Sequence, residues 1–375
     1  MKIGLLRPPA GIGGAEATMI ELYQTLKEHG EDAWIAFDSS KKGIFADFIN
    51  KDLFEKKFER LSGLNISKEQ FSEEYVLKNI IDSDALILLQ YRAFPERIRT
   101  KVKSSKADVY IYVPGKNTPH VTVPMEDGLK VKAFLFNSKE TLKYHLNIKY
   151  SKDPYADGLI KKKFRHAHPP LFLGNYTEVN KVDYKTYRFQ HFKIKKSEFS
   201  IGVVGRIQPS KRPFEALDIF KKLEKHYNYD AFPRKLYFYG GGAKEYVAEV
   251  KQYAKKLKIE HKVVFCGFSP DVRFRIKSMD SILHCCVMES LSRGIREAMV
   301  LKTPVVAYDG FGNRSLLGGQ SGRLLYSNAD QASIILLKIG TSGKVKRQFS
   351  TSVYNDIINI EKKLGRNYLD LLYEK

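Results

Sequence analysis

Short apolar runs of strand length alternate along the chain with stretches that have the helical period. In the first half, the strand-length runs are Ile3–Leu6, Ala33–Phe37, Ala85–Leu89, Val109–Val113 and Ala133–Phe136. Between the first two, Met19–Glu28 places its apolar residues on one face of a helix. Alternation of this kind predicts a mostly parallel sheet covered by helices.

The pattern weakens across residues 150–195, which are rich in Lys, His, Pro and Tyr, and then restarts. The later strand-length runs are Phe199–Val204, Lys235–Tyr239, Val263–Cys266, Ser281–Cys286 and Pro304–Tyr308, with helical stretches at Phe214–His226 and Tyr246–Leu257. The restart predicts a second sheet, and so an α/β fold of two doubly wound, Rossmann-like domains. The last amphipathic stretch, Val353–Glu374, predicts a helix with no strand after it.

Composition is that of a globular protein. The 375 residues are 43% hydrophobic, which is enough for two cores. No apolar run approaches the roughly 18 residues that cross a bilayer, and the start of the chain lacks the apolar segment of a signal peptide. Three cysteines are too few for a disulfide framework. We therefore expect a cytoplasmic protein.

The net charge of +22 is unevenly distributed. Residues 1–100 hold 14 basic and 16 acidic side chains, whereas residues 101–200 hold 20 and 9, including the cluster Lys161–Arg165. Such a surface attracts nucleic acid, an anionic membrane or a phosphorylated substrate. Since no nucleic-acid recognition motif accompanies the charge, we expect no nucleic-acid partner and favour an anionic acceptor or membrane surface.

The first βα turn is rich in glycine. Gly11, Gly13 and Gly14 precede the Met19–Glu28 helix, whose free amide groups suit a phosphate. A dinucleotide fingerprint would have a third glycine where Glu16 stands, although Asp38 lies where a ribose-binding acid is expected. A dinucleotide-dependent oxidoreductase therefore stays open as a minor alternative.

Two cations follow the first strand of the second sheet. Arg206 comes directly after Gly205, and Lys211 lies five residues further on, before a helix. A guanidinium fork and an ammonium group at this spacing can hold a diphosphate between them, but two surface cations in a loop give the same pattern.

Two glutamates flank the loop after the predicted strand Ser281–Cys286. Glu289 lies in the loop, and Glu297, eight positions later, falls inside the helix that we expect from about residue 292. Two carboxylates can accept hydroxyl hydrogen bonds at two places along one ligand. The spacing alone is common by chance.

Neither candidate metal motif is convincing. In His284-Cys285-Cys286, neighbouring residues of a strand point to opposite faces, so a shared zinc ion fits poorly. Asp82-Ser83-Asp84 precedes a strand and reads as a turn. We expect no metal ion.

Together these motifs resemble the GT4 family of retaining glycosyltransferases, which have the GT-B fold. The matching segments are Gly13-Gly14-Ala15-Glu16, Asn137-Ser138-Lys139-Glu140-Thr141, Gly205-Arg206 with Lys211, Tyr239–Gly242, Val263–Gly267, Asp280, the pair Glu289 and Glu297, and Glu297–Ala307. They occur in the family's order along the whole chain.

The resemblance implies two Rossmann-like domains that face each other across a cleft. The N-terminal, acceptor-side domain would span residues 1–180, and the C-terminal, nucleotide-sugar-binding domain residues 181–349. A terminal helix at about 350–375 would pack back on the first domain.

The resemblance also implies a role for each site residue. Arg206 and Lys211 would bind the donor diphosphate, Glu289 the donor sugar and Glu297 the ribose; Arg206, Lys211 and Glu289 would be catalytic. The other donor-binding residues would be Gly13, Gly14, Gly267, Ser292, Arg293 and Gly294.

The implied activity is metal-independent, retaining hexosyl transfer. The donor would be a UDP- or GDP-sugar, with no further cofactor. The acceptor would be a cell-surface glycan or a lipid-linked molecule, in polysaccharide biosynthesis, with the enzyme held peripherally at the cytoplasmic membrane face.

The chain departs from the family at three places. The family's G-F-G is Ser290-Leu291-Ser292, and its glycine before Thr303 is Lys302. For a family histidine near the donor sugar, the nearest candidate is His120, which is either a sugar contact or an ordinary loop histidine. The altered Ser290-Leu291-Ser292 loop leaves one main alternative, a GT-B protein that binds a nucleotide sugar without catalysis.

Overall fold

A computed structural model of the chain describes residues 1–7, 14–37, 73–113, 123–149, 161–167, 169–226, 234–269, 272–310 and 312–373. The chain divides into two compact units. Unit 1 is Met1–Phe172 with Glu361–Lys375, and unit 2 is Leu173–Ile360. The domain boundaries inferred above, near residues 180 and 349, stay a prediction.

Unit 1 contains a six-stranded parallel sheet in the order β2-β1-β3-β4-β5-β6. Its strands are β1 Lys2–Arg7, β2 Asp32–Phe37, β3 Ala85–Leu88, β4 Asp108–Val113, β5 Val131–Phe136 and β6 Phe164–His166. Its described α-helices are α1 Gly14–Glu28, α2 Glu73–Ile81, α3 Glu96–Ser104, α4 Val123–Glu126 and α5 Lys139–Tyr144.

Alternate residues of β1 enter two different cores. Ile3 and Leu5 pack with the apolar face of α1, whereas Leu6 packs with apolar residues of α2 and α3. Because side chains alternate along a strand, a sheet with helices on both faces needs apolar residues at consecutive positions, which is the pattern in the sequence.

Unit 2 contains a second six-stranded parallel sheet, in the order β12-β11-β10-β7-β8-β9. Its strands are β7 Phe199–Val204, β8 Arg234–Tyr239, β9 Val263–Gly267, β10 Ser281–His284, β11 Val305–Tyr308 and β12 Leu325–Tyr326. Its described α-helices are α6 Gly174–Lys181, α7 Tyr184–Phe192, α8 Pro213–Lys225, α9 Lys244–Lys256, α10 Val272–Lys277, α11 Arg293–Val300, α12 Asn313–Leu317, α13 Ala329–Thr341 and the first part of α14 Gly343–Tyr373.

The predicted α/β fold of two parallel sheets is confirmed. The strand order of the second sheet reverses between β10 and β7, since β8 lies on one side of β7 and β10 on the other. In open parallel sheets, ligands bind at the carboxyl ends of the strands beside such a reversal.

The sequence pattern was weakest where α6 and α7 form. Arg188 of α7 has a fully buried side chain and donates hydrogen bonds to Asp280 Oδ2 at 2.7 Å, to Ser200 Oγ at 2.8 Å and to the carbonyl of Glu198 at 2.6 Å. Polar contacts to distant residues therefore tie α7 to the second sheet, and a search for apolar periodicity does not detect them.

Asp280 is the centre of this buried network. It accepts hydrogen bonds from Arg188 and Lys346 and from the backbone amide of Ser200, the last at 2.9 Å. Burial alone would raise the pKa of Asp280, but the charges of Lys346 and Arg188 outweigh burial and lower the pKa to about 2. The carboxylate is therefore ionised at neutral pH.

The terminal helix α14 begins ten residues earlier than predicted and contributes to both units. In unit 1, Tyr368 and Leu372 belong to the core that contains β1, and Glu361 Oε2 accepts a hydrogen bond from the Leu171 amide at 2.8 Å.

Candidate functional site

Glycine turns form the carboxyl edge of the second sheet. Gly205 and Gly240 have φ values of 133° and 153°, which side chains rarely adopt. The amide of Gly240 donates to the carbonyl of Gly267 at 2.8 Å. A Cβ atom on Gly240 would collide with the carbonyl of Gly205, and one on Gly242 with that of Ile207. The turns after β7, β8 and β9 therefore pack directly on one another, and Gly267 is part of this set.

Lys211 and Glu289 meet at the same edge. Lys211 ends a short 3-10 turn, Pro209–Lys211, after β7, and its ammonium group donates to Glu289 Oε2 in the loop after β10. The side chains are 27% and 22% exposed, so a ligand can reach both. The structure thus joins two of the predicted site residues although they lie far apart in sequence.

The charge on Lys211 sets the ionisation of Glu289. Burial opposes the charged form, but the nearby ammonium group holds the pKa of Glu289 below its usual value. Burial lowers the pKa of the neighbouring His284 to about 4, so this imidazole is neutral at pH 7. The Glu289 carboxylate is therefore ionised at neutral pH, and it accepts hydrogen bonds but donates none.

A segment that the sequence analysis missed holds the Glu289 loop. The amide of Gly312 donates to the Glu289 carbonyl at 2.7 Å, and a Cβ atom on Gly312 would collide with the Ser290 carbonyl. Asn313 Nδ2 donates to the carbonyls of Cys286 at 2.9 Å and Tyr308 at 3.0 Å. The available signal was the Gly312-Asn313 pair in the segment that follows β11.

Helix α11 begins at Arg293, at the end of this loop. Ser292 is its N-cap and accepts a hydrogen bond from the Ile295 amide at 3.4 Å. A serine here, where the family has glycine, thus supplies a helix cap. Gly294 lies beside Val204, the last residue of β7, since a Cβ atom on it would be 3.9 Å from that side chain.

Glu297 is buried and held by two side chains. Arg293 Nε lies 2.8 Å from Glu297 Oε1, one helical turn away, and the Tyr176 hydroxyl lies 3.5 Å from the same oxygen. The contact between the Arg293 side chain and Glu297 was not predicted, and neither was that of Tyr176, which comes from α6.

The other predicted site residues have separate positions. Arg206 is exposed in the turn after β7. Gly14 is the first residue of α1, in unit 1. Gly13 and His120, like Asp38, lie outside the described residues.

Lys302 occupies the family's glycine position before Thr303. Its φ of 58° lies in the left-handed region, which explains why a glycine suits this place. The exposed ammonium group of Lys302 lies 4.5 Å from the centre of the Tyr354 ring. The departure affects a turn and not the carboxyl edge.

The fold and the site define a class of protein. Two parallel Rossmann-like sheets, with a cation, a carboxylate and glycine turns at the carboxyl edge of the second, are typical of proteins that bind nucleotides. A family model described as "Glycosyl transferases group 1" matches residues 184–351. The matched segment covers most of unit 2, and the chain as a whole has the GT-B fold.

Solved structures share the fold over the whole chain. Anabaena HepE in complex with UDP and glucose is 16% identical, covers 99% of this chain and 100% of its own, and has a TM-score of 0.70. Staphylococcus aureus TarM is 13% identical, covers 100% of this chain and 99% of its own, and has a TM-score of 0.67. A glycosyltransferase from Rickettsia africae is 15% identical, covers 99% and 97%, and has a TM-score of 0.68.

No curated protein sequence matches the chain. Among the described residues, none of the helices combines the length and apolar character that spanning a membrane requires.

Proposed function

We propose that this protein is a retaining glycosyltransferase that transfers a hexose from a UDP-sugar. The observation that carries the proposal is the Lys211–Glu289 pair at the carboxyl edge between β7 and β10. The family match supports glycosyl transfer, and the crystal structure of Anabaena HepE in complex with UDP-glucose supports the choice of donor.

Lys211 and Arg206 bind the donor diphosphate in this proposal. Both follow β7, and Arg206 leaves a turn that is packed against the glycine turn after β8. Because the glycine turns carry no side chains, the diphosphate can approach their backbone amides closely. The two cations then stabilise the charge that develops on the leaving diphosphate, an effect worth several kcal/mol in such sites.

The two glutamates bind the hydroxyl groups of the donor. Glu289 is ionised and part-exposed beside Lys211, which suits contact with the sugar. Glu297 lies inside α11, and its carboxylate is already oriented by Arg293, which suits the ribose. The amides of Ser292, Arg293 and Gly294 at the start of α11 complete the donor site.

Transfer proceeds as the bond between the anomeric carbon and the diphosphate oxygen breaks. The sugar then resembles an oxocarbenium ion, and the acceptor hydroxyl attacks from the face that the diphosphate leaves, so the anomeric configuration is retained. In this mechanism Lys211 and Arg206 neutralise the leaving group without a metal ion.

Donor binding is expected to stabilise the protein. With a UDP-hexose at about 100 times its dissociation constant, the melting temperature rises by about 3–7 °C, because the ligand binds only the folded state. A thermal-shift series with UDP-, GDP- and ADP-sugars and NAD(P) measures this. The increase is lost in Lys211→Met and kept in Lys225→Met, an exposed lysine of α8. The proposed donor site would be contradicted if the melting temperature stayed unchanged with every nucleotide sugar.

An assay of sugar transfer distinguishes the proposed enzyme from the alternative, a catalytically inactive protein that binds a nucleotide sugar. A binding protein gives the thermal shift but no hydrolysis or transfer of the sugar. For an active enzyme, proton NMR of the product reports the anomeric configuration.

We further propose a cell-surface glycan or lipid-linked acceptor at an anionic membrane surface, because of the positive charge after residue 100. Part of this charge is internally neutralised: Lys103 lies 3.6 Å from Asp127, and Lys132 lies 2.7 Å from Asp108. Exposed cations also remain in unit 1, including Lys106 and Lys130.

Binding to vesicles tests this surface. We expect sedimentation with phosphatidylglycerol-rich vesicles but not with phosphatidylcholine, since each basic residue contributes about 1 kcal/mol near an anionic surface. Charge reversal at Lys106 and Lys130 reduces binding, whereas Lys256→Glu, in unit 2, leaves it unchanged. Equal binding to both kinds of vesicle, or binding that persists at about 1 M salt, would exclude the proposed surface.

A further inference from the structure

Three metal-ligating side chains converge beside the Lys211–Glu289 pair. His284 is the last residue of β10, Cys286 follows two positions later, and Glu289 lies in the loop beyond. One ligand atom from each lies within 4.8 Å of the other two. The proposed glycosyl transfer uses neither the imidazole nor the thiol.

The Nε2 atom of the His284 imidazole has no hydrogen-bond partner in the part of the chain that the structure describes. The residue is 7% exposed, and its Nε2 atom is buried with no hydrogen bond to any described residue. The nearest carboxylate oxygen, Glu289 Oε2, is 3.6 Å away, too far for a hydrogen bond. A buried, unsatisfied nitrogen costs stability unless a ligand occupies its lone pair.

The separation of these atoms suits one tetrahedral metal ion. Two ligands on the same Zn²⁺ are about 3.3–3.6 Å apart, given Zn–N, Zn–O and Zn–S bonds of about 2.0–2.3 Å. His284 Nε2 and Glu289 Oε2 already have this separation at 3.6 Å. Imidazole, thiolate and carboxylate are the ligand types that zinc prefers, and three protein ligands leave a fourth position for water.

We propose that His284, Cys286 and Glu289 bind Zn²⁺, and that the bound ion blocks the donor site reversibly. On binding, the Cys286 thiol loses its proton to solvent, and the thiolate, the imidazole Nε2 and a Glu289 oxygen form bonds to the ion. Zinc then replaces the Lys211 ammonium group as the partner of Glu289. The effect on donor binding rests on the proposed function, whereas metal binding does not.

Electrostatics makes zinc and donor binding mutually exclusive. The Lys211 ammonium group and a dication cannot share one carboxylate without repulsion at a separation of a few ångström. Lys211 must therefore move away from Glu289 and from the proposed diphosphate position, and at most one Glu289 oxygen remains for a sugar hydroxyl. Zinc is accordingly an inhibitor here and not a catalyst.

The tripeptide His284-Cys285-Cys286 does not by itself predict a zinc site, because adjacent residues of a strand point in opposite directions. The cluster in the structure omits Cys285 and uses residues two apart together with a loop residue. Only the folding of the loop brings Glu289 to the other two ligands.

Cobalt spectroscopy tests the site without any need for activity. Co²⁺ added to the full chain in a thiol-free reductant is expected to give tetrahedral visible bands and a near-ultraviolet thiolate-to-metal band, both removed by Zn²⁺. Cys286→Ala loses the thiolate band and lowers the Zn²⁺ affinity by at least about tenfold. The control Cys266→Ala, at an exposed cysteine, behaves as wild type.

Two results would overturn the site: no thiolate band in the wild type, or an equal band in Cys286→Ala. If Cys286→Ala does not fold, His284→Gln provides the second variant, and it is expected to lower the Zn²⁺ affinity by a similar factor. An unchanged affinity in that variant counts against the site.

Competition between Zn²⁺ and the sugar donor tests whether the bound ion blocks the donor site. Zn²⁺ is expected to abolish the thermal shift given by UDP-glucose in the wild type, and a chelator restores it, while Cys286→Ala keeps the shift in zinc. A wild-type shift that zinc leaves unchanged overturns the block. If UDP-glucose gives no shift even with chelator, the proposed donor fails, and the cobalt spectra still decide the metal site.

Discussion

Replacing Lys211 with methionine is expected to lower the transfer rate by a factor of about 10²–10³, the usual cost of removing one electrostatic stabiliser from a reaction centre. The ammonium group both faces the proposed diphosphate position and neutralises Glu289. Without it, the departing charge lacks a partner, and the pKa of Glu289 rises because burial is no longer opposed. Initial rates with a UDP-hexose and an acceptor, or rates of donor hydrolysis, measure the effect.

Two matched variants identify the cause. Lys211→Arg keeps the charge and recovers part of the rate, whereas Lys225→Met removes an exposed lysine from the same region of the chain and leaves the rate unchanged. Near wild-type turnover in Lys211→Met would remove this residue from the mechanism.

Replacing Arg188 with methionine is expected to destabilise the second unit by about 3–5 kcal/mol, the cost of breaking a buried ion pair from one side. The guanidinium group is fully buried and bonds to Asp280, Ser200 and the carbonyl of Glu198. Methionine fills part of the volume but leaves these acceptors without their donor. Urea denaturation followed by circular dichroism measures the free energy of unfolding.

An exposed residue of the same helix provides the control for Arg188→Met. Lys185→Met, an exposed position on the same helix, is expected to change the unfolding free energy by no more than about 0.5 kcal/mol. A loss below about 1 kcal/mol in Arg188→Met would show that Lys346 alone sustains Asp280.

Local patterns of apolar residues in the sequence predicted most of the fold. The strand-length apolar runs gave β1, β7 and β8 nearly to the residue, because burial on both faces of a parallel sheet leaves a continuous apolar segment. The apolar pattern did not predict elements that are very short or that are held in place by polar contacts. The strand Leu325–Tyr326 has two residues, and α7 depends on Arg188 rather than on an apolar stripe.

The site was predictable as a set of residue types but not as a set of contacts. Glycine turns and charged residues after strands indicated a candidate ligand site, since carboxyl ends of parallel strands share one edge. The contribution of Gly312, the orientation of Glu297 by Tyr176 and the partnership of His284 with Cys286 all depend on loops folding against other elements.

By itself, the sequence determined two helix-covered parallel sheets, the glycine turns and the residue types of the candidate site, because each depends on residues close together along the chain. Tertiary structure alone decided that β10 lies beside β7, and thus that Lys211 meets Glu289, 78 positions away. The order of strands depends on the total free energy of packing, which no local pattern of hydrophobic and polar residues encodes.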